Sequence, residues 1–222
     1  MRTGHYTGPV LFHDGGDRLA IVELGAMRRF FLVAAAILTS SGALAAGNVE
    51  ETAQICTGCH GDNGVPQEKT TPIIWGQNEG YFYLQLRDFK RGSRKNDQMS
   101  AIAATLEKDE MKALAAYFSK LKWPDLQQPS APKEIAAKAL QAIGSIGCRG
   151  CHLDQFQGDG TTARLAGQQR EYLKKTMEAF RDRTRGNNPG MGDLMNAASP
   201  DDFAPLAEYL AGLQIVGGTY GR

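Results

Sequence analysis

The chain has 222 residues, with 25 basic and 24 acidic side chains, four cysteines and four histidines. A formal net charge of +1 gives no electrostatic footprint for nucleic acid as a partner. All four cysteines fall in two copies of Cys-x-x-Cys-His, at Cys56–His60 and Cys148–His152, so no thiol is left for an independent disulfide or a lone nucleophile.

In chain order, residues 1–26 carry no amphipathic period or motif and read as a non-native or disordered extension ahead of Met27. Met27-Arg28-Arg29, the apolar run Phe30–Leu38 and then Ala43-Leu44-Ala45 supply a basic start, a short apolar core and a small-residue cleavage site. Residues 27–46 therefore read as a secretory signal, cut after Ala45 or Ala46. The apolar run is too short to span a bilayer comfortably. Export to the periplasm, an oxidising compartment, is the expected address.

A first domain is expected over 47–123, closing on a helix from Asp109 to Lys122 with Met111, Leu114, Ala115, Phe118 and Leu121 on one apolar face. Pro124, Pro129 and Pro132 mark 124–132 as an extended, fairly stiff linker. A second domain is expected over 133–222. Its first helix, Lys133 to Ile143, is apolar at Ile135, Ala139, Leu140 and Ile143 and presents Cys148 and Cys151 at its end. A closing helix from Pro200 to Leu213 is signalled by Ser199 as N-cap, Pro200 at the first helical position and Asp201-Asp202 in the first turn. Pro205 is a conflict near its start. Phe203, Leu206, Ala207, Leu210 and Leu213 form its buried stripe. No segment alternates in strand fashion, so both domains are expected to be all-α, with the Gly217-Gly218 tail frayed.

Cys-x-x-Cys alone also serves thioredoxin-like redox sites and zinc half-sites. The histidine directly after each pair changes the reading. Two thiols can add to the two vinyl groups of one haem while the adjacent imidazole ligates its iron. Two covalent haem c groups are expected, on Cys56, Cys59 and His60 and on Cys148, Cys151 and His152. The remaining histidines, His5 and His13, lie upstream of the export signal, which leaves none for bis-histidine ligation or for a catalytic triad.

Methionine is then the expected distal ligand, and internal repetition selects which. A shift of 92 residues superposes Cys56 on Cys148, His60 on His152, Met99 on Met191 and Tyr117 on Tyr209. Between them the offset is 91, matching Gly76-Gln77 with Gly167-Gln168, Tyr81 with Tyr172 and Phe89 with Phe180. Met99 and Met191 are the chosen ligands, with Met195 in reserve should the Asn188-Pro189-Gly190 segment shift the register. Met111 and Met177 read as core filler. An iron closed on both axial faces has no site for substrate, and electron transfer is the chemistry left to it.

Over residues 47–213 the chain resembles the dihaem cytochrome c4 family, through Cys56 to Gly61 with Asp62 and Gly64, Pro72 to Gln77, Tyr81 to Gly92, Met99, and Ala115-Ala116-Tyr117-Phe118, with counterparts in the second half. The resemblance implies two class I cytochrome c domains related by a pseudo-twofold, haems near their interface, and electron exchange with periplasmic or membrane-bound redox proteins. It also implies that the Pro72 carbonyl accepts the second N–H of the proximal imidazole, a bond that orients the ring and tunes the iron. Ala163 stands at the matching position of the second half. A less rigid carbonyl there predicts two unequal haem potentials.

After Ala46 the chain has 21 basic and 21 acidic side chains. Arg87, Lys90, Arg91, Arg94 and Lys95, and Arg181, Arg183 and Arg185, are clusters that could steer an acidic partner, set against an ordinary solvated helix face. The leading expectation is a dihaem electron carrier without an enzymatic site or a small-molecule substrate. The alternatives are a dihaem subunit of a periplasmic dehydrogenase complex and a zinc-stapled binding module.

Overall fold

The computed structural model describes residues 48–213. The extension 1–26, the signal 27–46 and the Gly217-Gly218 tail lie outside the described residues. Among those described there is no strand, and no helix is long and apolar enough to cross a membrane.

The first half contains α1 (Val49–His60), α2 (Glu79–Arg91), α3 (Asp97–Thr105) and α4 (Lys108–Lys120). Asn48 starts α1, its side chain accepting the Glu50 amide at 3.2 Å, and Glu50 and Glu51 favour the positive end of the helix. Helix α4 begins one residue before Asp109 because Glu107 and Glu110 form a reciprocal capping box. It ends at Lys120, where Leu121 turns extended and the Phe118 carbonyl is taken by the Gly76 amide at 2.8 Å. The core lies between α2 and α4. Phe82 stacks on Phe118 with ring centroids 5.3 Å apart, and Leu86, Met111, Leu114 and Ala115 are buried with them. Phe118, wholly buried, contributes on the order of 2–3 kcal/mol by removal of its ring from water.

The second half contains α5 (Lys133–Ile146), the single turn α6 (Arg149–His152), α7 (Arg170–Arg181), α8 (Pro189–Ala197), a 3₁₀ turn (Pro200–Asp202) and α9 (Phe203–Ala211). Helix α5 runs past Ile143 and stops at Gly147, whose φ of 81° is left-handed and inexpensive only without a Cβ. The Ser199 hydroxyl accepts the Asp201 amide at 3.3 Å. The conflict at Pro205 resolves locally. The 3₁₀ turn precedes α9, and Pro205 falls in the first turn of α9, where no intrahelical bond needs its missing N–H. Phe203, Leu206, Ala207 and Leu210 pack with Ala139, Ile143, Leu173, Met177 and Phe180.

Both halves belong to one compact unit and meet through crossed polar contacts. Gln77 of the first half accepts the Arg164 amide at 2.8 Å and donates to the Arg164 carbonyl at 3.2 Å. Gln168 of the second half accepts the Ile73 amide at 2.8 Å and donates to the Ile73 carbonyl at 3.0 Å. A second crossed pair follows the same rule: Arg94 donates to the Tyr172 hydroxyl at 3.0 Å and Arg185 to the Tyr81 hydroxyl at 3.2 Å. Asn78 adds bonds to the carbonyls of Gln157 and Thr162 at 3.1 and 2.8 Å. Segment 124–132 has no regular structure and is tied to the second half by Gln128, whose amide donates to the carbonyls of Gln168 and Ala211 at 3.0 and 3.2 Å.

Candidate haem sites

The first Cys-x-x-Cys-His motif lies in the C-terminal part of α1. Three residues apart on a helix is close to one turn, so Cys56 and Cys59 face the same side, as they must to reach two vinyl groups of one ring. Both thiols are unpaired, Cys56 half-buried and Cys59 exposed. Burial, helped by the charge on Cys59, pushes the Cys56 thiol up to about 11. The second motif is built differently, with Cys148 as N-cap of α6 and Cys151 and His152 within it. Burial also raises the Cys148 thiol.

Each imidazole is buried and fixed through Nδ1. His60 Nδ1 bonds to the Pro72 carbonyl at 2.8 Å and His152 Nδ1 to the Ala163 carbonyl at 2.9 Å. A carbonyl can only accept, so each Nδ1 carries the proton and each Nε2 is left with its lone pair. Burial lowers the pKa of both rings, against a smaller opposing effect of the carbonyl bonds, which keeps them neutral and able to bind a metal. Neither Nε2 has a hydrogen-bond partner among the described residues.

Met99 and Met191 occupy equivalent places. Each lies in the first turn of a short helix, its amide bonded to the side chain of an asparagine N-cap: Asn96 at 2.9 Å and Asn188 at 3.1 Å. The Asn188-Pro189-Gly190 segment is therefore a capped helix start with Pro189 at the first helical position, and it does not shift the register. Both methionines are half-buried at the margin of a core, whereas Met195 is 3% exposed inside one. Met111 and Met177 are buried filler.

Two further observations bear on whether these residues suit haem. The buried Trp75 indole N–H has no acceptor among the described residues, an unmet donor of the kind that a haem carboxylate satisfies. No group of three or more His, Cys, Asp or Glu side chains among the described residues converges to hold a metal ion, which a zinc cluster pooling these thiolates would require. Paired thiols, an oriented imidazole and an unmet donor fit haem c. That group, when bound, supplies a one-electron iron couple.

The basic clusters are not a single solvated face. Arg185 is buried, and although burial works against its charge, Tyr81 and Tyr172 hold its pKa above the usual value. Arg94 is half-buried at the same interface, Arg87 pairs with Asp88 at 2.7 Å, and Arg183 pairs with Asp193 at 2.6 Å. The reading of Arg94 and Arg185 as steering charges gives way to one in which they join the halves. The crossed glutamine contacts had only one sequence signal, the repeated Gly-Gln pair.

An all-helical fold over the described residues, carrying two Cys-x-x-Cys-His motifs, is that of a dihaem c-type cytochrome. No protein-family model matches the chain. It is 34% identical over 176 residues to a thiosulfate dehydrogenase electron acceptor of Stutzerimonas stutzeri, covering 74% of this chain and 82% of that protein. It is 34% identical over 173 residues to cytochrome c4 of Thiocapsa roseopersicina, covering 72% and 87%. The solved cytochrome c4 of Acidithiobacillus ferrooxidans superposes with a TM-score of 0.66 at 29% identity, covering 72% of this chain and 99% of that one. The chain belongs to the cytochrome c4 family. It is a dihaem electron carrier with two haem c groups, and its partners are redox proteins.

Proposed function

We propose that Cys56 and Cys59 tether one haem c, with His60 and Met99 as axial ligands, and that Cys148 and Cys151 tether the other, with His152 and Met191. Each of the four thiols would hold its haem by adding S–H across a vinyl C=C, sulfur to one carbon and hydrogen to the other, with no leaving group. The carrying observation is the pair of Nδ1–carbonyl bonds at 2.8 and 2.9 Å, which aim an unpartnered Nε2 from each motif. The shared asparagine caps before Met99 and Met191 support both distal assignments, and the burial of Met195 in packing supports Met191 over it.

The residues hold their haems in two domains, 47–123 and 133–222, joined by 124–132. Pro72 and Ala163 hold the imidazole proton so that each ring keeps one tautomer and one orientation. Two closed irons leave no place for a substrate, so the chain moves single electrons between periplasmic redox partners after its signal is removed.

A second reading has a specific observation behind it. The relative in S. stutzeri is an electron acceptor of thiosulfate dehydrogenase, and 70% of this chain matches 36% of the solved thiosulfate dehydrogenase TsdBA of Marichromatium purpuratum, with a TM-score of 0.61 at 28% identity. This chain would then accept electrons from a periplasmic dehydrogenase, as a dihaem subunit or docking partner. The test is the mass of the exported chain, expected to equal the processed polypeptide plus two haems, followed by stopped-flow reduction with a candidate dehydrogenase. An intact mass without haem contradicts the assignment.

A further inference from the structure

The glutamines that cross between the halves end on the peptide units that orient the proximal histidines. The Pro72 carbonyl and the Ile73 amide N–H belong to one planar peptide group. Its oxygen accepts from His60 Nδ1 at 2.8 Å, and its N–H donates to Gln168 Oε1 at 2.8 Å. The Ala163–Arg164 peptide repeats this with the halves exchanged: its oxygen accepts from His152 Nδ1 at 2.9 Å, and its N–H donates to Gln77 Oε1 at 2.8 Å. Both glutamines are buried, 4% and 2% exposed, and each Oε1 also accepts the next backbone amide at 2.9 Å, which fixes its aim.

We infer that Gln77 and Gln168 are positioning residues that tune the haem site of the opposite half. A peptide whose N–H is hydrogen-bonded is a stronger acceptor at its oxygen, because bonds in a chain polarise one another. Gln168 therefore draws the His60 proton more firmly onto the Pro72 carbonyl. The ring becomes a better electron donor and favours the oxidised iron. Gln77 does the same for His152. Each half thus lowers the potential of the other half's haem through a relay that exists only while the halves are docked, and contact between the halves becomes a determinant of both potentials. The inference rests on the ligand assignment proposed above for His60 and His152.

These two are the only histidines after residue 46, so the mature holoprotein labelled with ¹⁵N-histidine has two Nδ1–H resonances, each reporting its own iron during a redox titration. Gln168→Leu is expected to move the His60 resonance upfield and raise the potential of the haem that His60 reports, changing its reduction equilibrium constant about two- to threefold. His152 and its haem stay in place. Gln77→Leu gives the mirror result. Gln168→Glu retains an acceptor for the Ile73 N–H, and the His60-linked potential stays at or below that of the unsubstituted protein. Asn78→Ala removes the bonds to Gln157 and Thr162 without touching either peptide, and leaves both resonances and both potentials unchanged.

Equal movement of both histidines in Gln168→Leu, movement of His152 alone, or no movement overturns the inference. So does a rise in Gln168→Glu matching that in the leucine variant. Failure of the ligand assignment looks different: the histidine resonances of the unsubstituted protein would then ignore the redox state.

Discussion

The two halves solve one problem with different backbones. In the first, a continuous helix, Val49–His60, carries both cysteines and the histidine, and a proline carbonyl holds the ring. In the second, the helix stops at Gly147, a separate turn carries Cys151 and His152, and an alanine carbonyl holds the ring. Yet the Nδ1–carbonyl distances are 2.8 and 2.9 Å, and the methionine amides are capped alike. What the repeat keeps is the placement of the imidazole, the thiols and the thioether. The route of the chain to them is free to vary.

The largest effect that would break this equivalence is loss of attachment. Cys56→Ala with Cys59→Ala is expected to halve covalent haem per chain, measured as the pyridine haemochrome against protein mass, and the mirror pair in the second half should do the same. Next, Met191→Leu is expected to abolish the thioether-dependent far-red absorption of one haem and leave the other. Met195→Leu keeps both bands and costs about 1 kcal/mol, since it exchanges one buried apolar side chain for another of similar volume. The reverse pattern would transfer the ligand role to Met195.

Smaller changes sharpen the backbone contrast. Gly147→Ala puts a Cβ at a φ of 81°, costing about 1 kcal/mol and lowering Tm by about 2–4 °C. Ile55→Gly, at the equivalent place inside α1, tests whether a break there is tolerated: about 1 kcal/mol or more of helix stability should go while the haem count stays at two. Pro72→Ala keeps the accepting carbonyl and removes only ring rigidity. The two haem potentials are expected to move closer together, and a wider separation in the same titration would contradict the role given to that rigidity.

Local chemistry made most of this legible. The helices near Asp109, Lys133 and Pro200 were announced by apolar spacing and by caps, and their ends move by one to three residues where capping pairs or glycines act. The roles of Met111 and Met177 as filler followed from helical period. Arg94 and Arg185 misled because a run of arginines before a methionine looks solvated in one dimension, and only the packing of the halves puts their partners on Tyr172 and Tyr81. The glutamines showed in the repeat as Gly76-Gln77 and Gly167-Gln168, but their partners across the halves did not. An amide 95 residues from its partner leaves no pattern in the intervening chain.

If each half holds one covalently tethered iron, closed by a histidine and a methionine, a spectroelectrochemical titration of the mature protein will show both. The far-red band of the oxidised protein should correspond to two haems per chain and vanish in two one-electron steps at different potentials, with no change on adding carbon monoxide to the reduced form. One electron per chain, absence of the band, or ready binding of carbon monoxide would contradict it.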